Sequence, residues 1–220
     1  WCPPDAAFRA ADKAGMMMQP ELSQWNFKDA FGDEKSREYY KKELYMILKH
    51  LANHPSFVML TFGNELQYTE EGYIFAEHLL DEARNYDSTR LYANSSNYHY
   101  GEEGCDTGSD FYTAMAYYKD MLRATSSPMI GHLNHEYPSA CHTYDETVRK
   151  VQETGKPVFG FEVGQYEVLP EFSEIEDFRG VTRAVNLEII KENAKSRDMI
   201  PDWNRCVEAT GELANLCYRE

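Results

Sequence analysis

Two glutamates stand just past apolar runs. Glu65 stands next to last in FVMLTFGNEL (57–66), and Glu162 lies in KPVFGFEVGQY (156–166) at the exit of the run 157–161. If both runs are buried strands, the two carboxylates can face one another across a single cleft. Such a pair can share the work of opening an acetal. One carboxylic acid protonates the leaving oxygen, while the other carboxylate attacks the anomeric carbon or activates water. A lone Glu after a strand is ordinary, because a helix N-terminus or a loop holds the same charge. Two of them at equivalent points make that plainer reading less attractive.

Other chemistries find less support. His132, His135 and Glu136 read H-x-x-H-E, which is not H-E-x-x-H, and no ligand set is complete. No metal and no cofactor are therefore expected. There is no G-x-S-x-G nucleophile elbow, no G-x-G-x-x-G and no G-x-x-x-x-G-K-[ST]. With 37 acidic and 22 basic residues the formal charge is −15. A phosphate-backbone binder needs a basic footprint, so nucleic acid and anionic membranes are excluded as expected partners. No apolar run is long enough for a transmembrane helix. The opening WCPPDAAFRAADKAG shows no leader, although one could lie upstream. Cysteines at 2, 105, 141, 206 and 217 are odd in number and lack C-x-x-C spacing. They read as free thiols of a reducing, cytoplasmic compartment.

The elements that would position the glutamates alternate between strand and helix. At 220 residues and 42% hydrophobic, the chain can form a substantial core. A short helix over 6–15 closes at Gly15, and MMMQPEL (16–22) reads as a strand. Residues 34–53 carry Tyr40, Leu44, Ile47, Leu48 and Leu51 at helical spacing, with Pro55 as the stop. FVMLTF (57–62) is a near-continuous apolar run, the mark of a parallel strand buried on both faces. A helix over 70–86 should turn Ile74, Leu79, Leu80 and Ala83 inward, and RLYANSS (90–96) should be the next strand. Residues 97–128 are irregular, and 129–138 hold a further strand candidate. A helix over 144–155 leads into the buried strand of 156–166. Helices over about 184–197 and 205–219 close the chain.

That pattern makes roughly five β/α units. Without a glycine-rich phosphate loop, a doubly wound sheet is disfavoured. The expected fold is α/β: a partial (β/α)8 TIM barrel lacking strand one, most of strand two and strand eight, with residues 1–220 as one catalytic-domain piece. Barrel chemistry gathers at the C-terminal ends of the strands, where Glu65 and Glu162 would both lie.

Three stretches also resemble family 2 glycoside hydrolases, of the clan of retaining β/α-barrel glycosidases. HPSFVMLTFGNEL (54–66) resembles their strand-four signature, GKPVFGFEVGQY (155–166) their strand-seven signature, and PPDAAFRAADKAGMMMQPEL (3–22) their second helix and third strand. The resemblance implies that Glu65 is the acid/base, Glu162 the nucleophile, and Asn64 a hydrogen-bond partner of the sugar 2-hydroxyl. Glu65 must then carry a proton in the first step, and Glu162 becomes an ester before Glu65 acts as base. The retaining route expects the two carboxyls about 5–5.5 Å apart. A tyrosine after strand six usually supports the nucleophile; Tyr137 is the candidate, with Tyr117 or Tyr118 as alternatives. Trp25 is either a sugar-stacking wall or a packed core residue. Asn134 and His135 would line the pocket or serve as loop polarity. The implied partner is a carbohydrate, whose sugar stays open among galactoside, glucuronide, mannoside and others, as does the oligomeric state.

The chain departs from the family in showing no β-sandwich domain and too few strands. Opened barrel edges expose apolar surface, so the chain alone is expected to be marginally stable and inactive. Two other functions stay open at this level: a carbohydrate-binding barrel without catalysis, and a barrel hydrolase that uses a metal.

Overall fold

The computed structural model describes residues 1–96, 108–114, 116–117, 120–121, 155–160 and 168–219. They form a mixed α/β structure in two units. One comprises Trp1–Arg123 and Tyr144–Val163, the other Ala124–Thr143 and Gly164–Glu220.

In the first unit, helix α1 (Asp5–Ala14) ends where Gly15 adopts φ 70°, and the Gly15 N–H returns to the Ala11 carbonyl. Helix α2 (Glu34–Leu51) begins at Asp33, whose carboxylate accepts from the N–H groups of Lys35 and Ser36 at 3.0 and 3.1 Å. Its buried residues are Leu44, Ile47, Leu48 and Leu51, one stripe at i, i+3, i+4 and i+7. Strand β1 (Met59–Thr61) follows, then helix α3 (Glu70–Tyr86), capped by the Thr69 hydroxyl on the Gly72 N–H at 3.2 Å. Four further short strands are β2 (Leu91–Ala93), β3 (Tyr112–Ala114), β4 (Ala116–Tyr117) and β5 (Asp120–Met121). Strand β6 (Val158–Gly160) is the last among the described residues.

The pairing is ordered by the chain. β1 pairs in parallel with β2, setting Leu60 opposite Tyr92. β3 pairs in parallel with β6, setting Thr113 opposite Phe159. Single parallel bridges join Met18 to Phe57, Glu21 to Thr61 and Trp25 to Asn64, and others join Asn64 to Ser96 and Ser96 to Thr113. Five segments (18–25, 57–64, 91–96, 112–114 and 158–160) therefore lie side by side, all parallel, in chain order. β4 and β5 form a separate antiparallel pair. One face of this layer packs on the helices: Phe8, Phe31, Leu48, Phe57, Leu60, Phe62 and Leu80 are all essentially without solvent contact. Each such side chain contributes about 1.5–3 kcal/mol of burial.

Helices α1, α2 and α3 stand where the periodicity predicts. Four differences have physical reasons. Ile74 does not face inward; it is 51% exposed. The inward stripe of α3 is Gly72, Ala76, Leu79, Leu80 and Ala83, and Ile74 stands two residues, about 200°, from Ala76. Residues 16–22 make isolated bridges rather than a continuous ladder. Strand β3 arises inside the irregular stretch, where the sequence predicts none. Strand β6 is not buried: Phe159 is 41% exposed, and among the described residues only β3 flanks it. The strand expected in 129–138 and most of the helix expected over 144–155 lie outside the described residues.

The second unit contains a 3-10 helix (Phe172–Asp177), α4 (Val185–Ser196), a 3-10 turn (Ile200–Asp202) and α5 (Trp203–Arg219). Its two α-helices match the two expected. Trp203 stacks on Phe172 with ring centroids 4.5 Å apart, and its indole N–H donates to the Pro170 carbonyl at 2.8 Å. The Lys191 ammonium lies 5.6 Å from the centre of the Phe172 ring.

Candidate functional site

The chain leaves β1 through a strained turn. Gly63 has φ 147°, and a Cβ at that position would overlap the Gln24 carbonyl oxygen, so no larger residue fits. Asn64 follows, its N–H donating to that same Gln24 carbonyl at 3.0 Å. Glu65 then takes φ 53°, an uncommon conformation for a residue with a side chain. Its N–H donates to the Ser96 carbonyl at 2.9 Å, and the Ser96 N–H donates to the Gly63 carbonyl at 2.8 Å. The turn is thus tied to both neighbouring segments of the layer.

This turn presents two candidate residues together. The Glu65 side chain is half-buried, and its Oε2 accepts the Trp25 indole N–H at 2.8 Å. Trp25 is 60% exposed and meets the exposed Phe27 ring at 4.9 Å between centroids. At that exposure Trp25 is not a packed core residue. The Asn64 Oδ1 is buried and has no hydrogen-bond partner among the described residues. A buried acceptor left unpaired is costly, and a ligand hydroxyl would satisfy it.

Behind these residues the layer carries buried polar side chains. The Gln19 amide donates to the Ser96 hydroxyl at 2.9 Å, and the Thr61 and Ser96 hydroxyls are bonded at 2.8 Å. Thr61 and Ser96 are fully buried. Buried Gln24 accepts the Phe31 N–H at 3.3 Å and donates to the Phe62 carbonyl at 3.4 Å. Sequence reasoning missed these supports. Their signal was a polar residue inside each apolar run: Gln19 in MMMQPEL, Thr61 in FVMLTF, Ser95 and Ser96 in RLYANSS.

Glu162, Asn134 and Tyr137 lie outside the described residues, as do Tyr118, His132, His135 and Glu136. Tyr117 belongs to β4. Strand β6 ends at Gly160, two residues before Glu162 in sequence, and the parallel layer puts that end on the same edge as Glu65.

The His-Pro-Ser stretch that precedes β1 lies at the opposite edge and does other work. His54 Nδ1 is 2.6 Å from Asp12 Oδ2, and the Ser56 N–H donates to Asp12 Oδ1 at 3.0 Å. Hydrogen bonding from Ser56, then from His54, holds the Asp12 carboxyl down at about 2. These residues clamp α1 to the start of β1. Among the described residues, no group of three or more His, Cys, Asp or Glu could hold a metal ion. Cys2, Cys206 and Cys217 are free thiols. No helix among the described residues is long and apolar enough to cross a membrane.

No family model matches the chain, and no curated protein matches it. Its fold is similar to solved β-glucuronidases. One from Parabacteroides merdae, solved with glycerol in its active site, aligns with TM-score 0.55 and 14% identity over 76% of this chain and 19% of that one. An FMN-binding β-glucuronidase from Facaelibacterium prausnitzii L2-6 gives TM-score 0.55 and 14% identity over 77% and 24%. The β-D-glucuronidase of Dictyoglomus thermophilum gives 0.52 and 15% over 78% and 30%. The chain thus spans less than a third of the length of each, and at these identities the likeness is one of fold.

Proposed function

We propose that this chain forms part of the (β/α)8 barrel of a retaining glycoside hydrolase of family 2, with Glu65 as acid/base and Glu162 as nucleophile. One observation carries the reading. A half-buried carboxylate, an exposed indole bonded to it and a buried amide oxygen without a partner among the described residues meet at the C-terminal edge of a parallel layer. The chain-order arrangement of that layer is the one a closing barrel needs, whereas a doubly wound sheet reverses order at its switch point. The fold likeness to β-glucuronidases supports the same class and makes a β-glucuronide the first substrate to try.

In the first step the Glu162 carboxylate attacks the anomeric carbon, the glycosidic C–O bond breaks, and Glu65 delivers its proton to the leaving oxygen. In the second, Glu65 takes a proton from water, the water oxygen attacks the same carbon, and the ester to Glu162 breaks. The Trp25 N–H fixes the plane of the Glu65 carboxyl through both steps. Asn64 Oδ1 accepts from the sugar 2-hydroxyl, and the Trp25 and Phe27 rings offer a face to the pyranose.

The test is turnover of a panel of aryl β-glycosides, glucuronide included, by the protein that carries this chain. Glu162→Gln should abolish turnover. Glu65→Gln should lower it about 100- to 10,000-fold on substrates with poor leaving groups. Turnover indifferent to both substitutions would refute the assignment. No turnover of any glycoside by the folded protein would point instead to a carbohydrate-binding barrel without catalysis.

A further inference from the structure

We infer that Ser95 is a positioning residue for Glu65, acting through the backbone of the turn; the inference rests on the acid/base reading of Glu65. Residues Asn94, Ser95 and Ser96 follow β2 and are all within 1% of complete burial, although each carries a polar side chain. A plain strand exit would gain more from apolar residues, since burying a hydroxyl costs free energy unless it is bonded. The Ser95 hydroxyl accepts the Leu66 N–H at 3.0 Å. Its own proton lies toward the Ser96 carbonyl at 2.8 Å, with the Gly63 carbonyl at 3.4 Å. The Ser96 carbonyl is also the acceptor of the Glu65 N–H. One hydroxyl thus braces the residue before Asn64, the residue after Glu65 and the carbonyl that holds Glu65 itself.

The brace is anchored from behind. The Asn94 amide donates to Glu77 Oε1 of α3 at 2.7 Å, its N–H donates to the Ser109 hydroxyl at 2.9 Å, and its carbonyl accepts the Tyr68 hydroxyl at 2.7 Å. Glu65 at φ 53° sits in a conformation that a residue with a side chain seldom adopts unaided. Without Ser95 the turn has a low-energy route to relax, which would swing the Glu65 carboxyl away from the leaving oxygen.

Acid catalysis matters most when the leaving group is a poor one, and this separates a positioning defect from a general loss of stability. The experiment compares Ser95→Ala with Ser56→Ala, which removes a buried hydroxyl at the opposite end of β1. In the protein that carries this chain, Ser95→Ala should lower kcat/KM about 100-fold on alkyl β-glycosides and only a few-fold on the dinitrophenyl glycoside. Ser56→Ala should show no such difference between leaving groups. Amide hydrogen exchange gives a readout free of turnover: Ser95→Ala should deprotect Glu65 and Leu66, and Ser56→Ala should not. Equal loss on both leaving groups, or unchanged protection at Leu66, overturns the inference. If Glu65→Gln itself shows no leaving-group dependence, the acid/base reading fails first, and the positioning role falls with it.

Discussion

At the residue scale, the same short stretch serves two ends. His54 and Ser56 grip Asp12 before β1 begins, and Asn64 and Glu65 emerge after it ends. The sequence shows His-Pro-Ser and Gly-Asn-Glu as one motif; the structure separates them into a clamp and a candidate site. The clamp has a pH signature. Asp12 is held at about 2, below its ordinary 3.8, so it favours the folded state wherever its carboxylate is ionised in both states. That contribution is complete above about pH 5 and disappears as pH falls from about 4 through 2. Thermal unfolding of the wild type and Asp12→Asn should therefore differ at pH 7 and converge only as pH falls to about 2 and below. A gap that persists unchanged at pH 2 would mean that the clamp does not depend on the ionised carboxylate.

At the scale of the element, helices were legible because their signals are local. Gly15 closes α1, Asp33 opens α2, and the Leu44, Ile47, Leu48, Leu51 stripe needs no knowledge of what it meets. The error at Ile74 came from residue type rather than from period: an apolar side chain stands on the solvent face of α3. The correction makes a contrast testable by urea denaturation. Leu80→Ala should cost about 2–5 kcal/mol, because Leu80 is fully buried in the core cluster. Ile74→Ala should stay within about 0.5 kcal/mol. Equal effects would return Ile74 to the core. Strands were less legible than helices. FYTAMAYYKD shows no clean alternation, and β3 exists because Ser96 and β6 supply its two flanks.

At the scale of the whole molecule, a formal charge of −15 means that acidic side chains repel one another in the folded state. Salt screens that repulsion, so the unfolding temperature should rise by a few degrees between about 20 and 200 mM NaCl. A fall over that range would show that the paired charges, such as Lys41 with Glu82 at 2.7 Å, outweigh the surplus. By itself the sequence determined the positions of five helices, the apolar runs between them and the two glutamates that follow two of those runs. Each of these depends on contacts within a few residues along the chain: a cap, a stripe, a run of β-formers. Only the tertiary structure decided the register in which the five parallel segments meet, that Trp25 is exposed and bonded to Glu65, and that Ser95 and Ser96 brace the turn. Those contacts join residues about 30 to 40 positions apart. No local pattern encodes them, because their geometry exists only once the helices have packed and set the register of the layer.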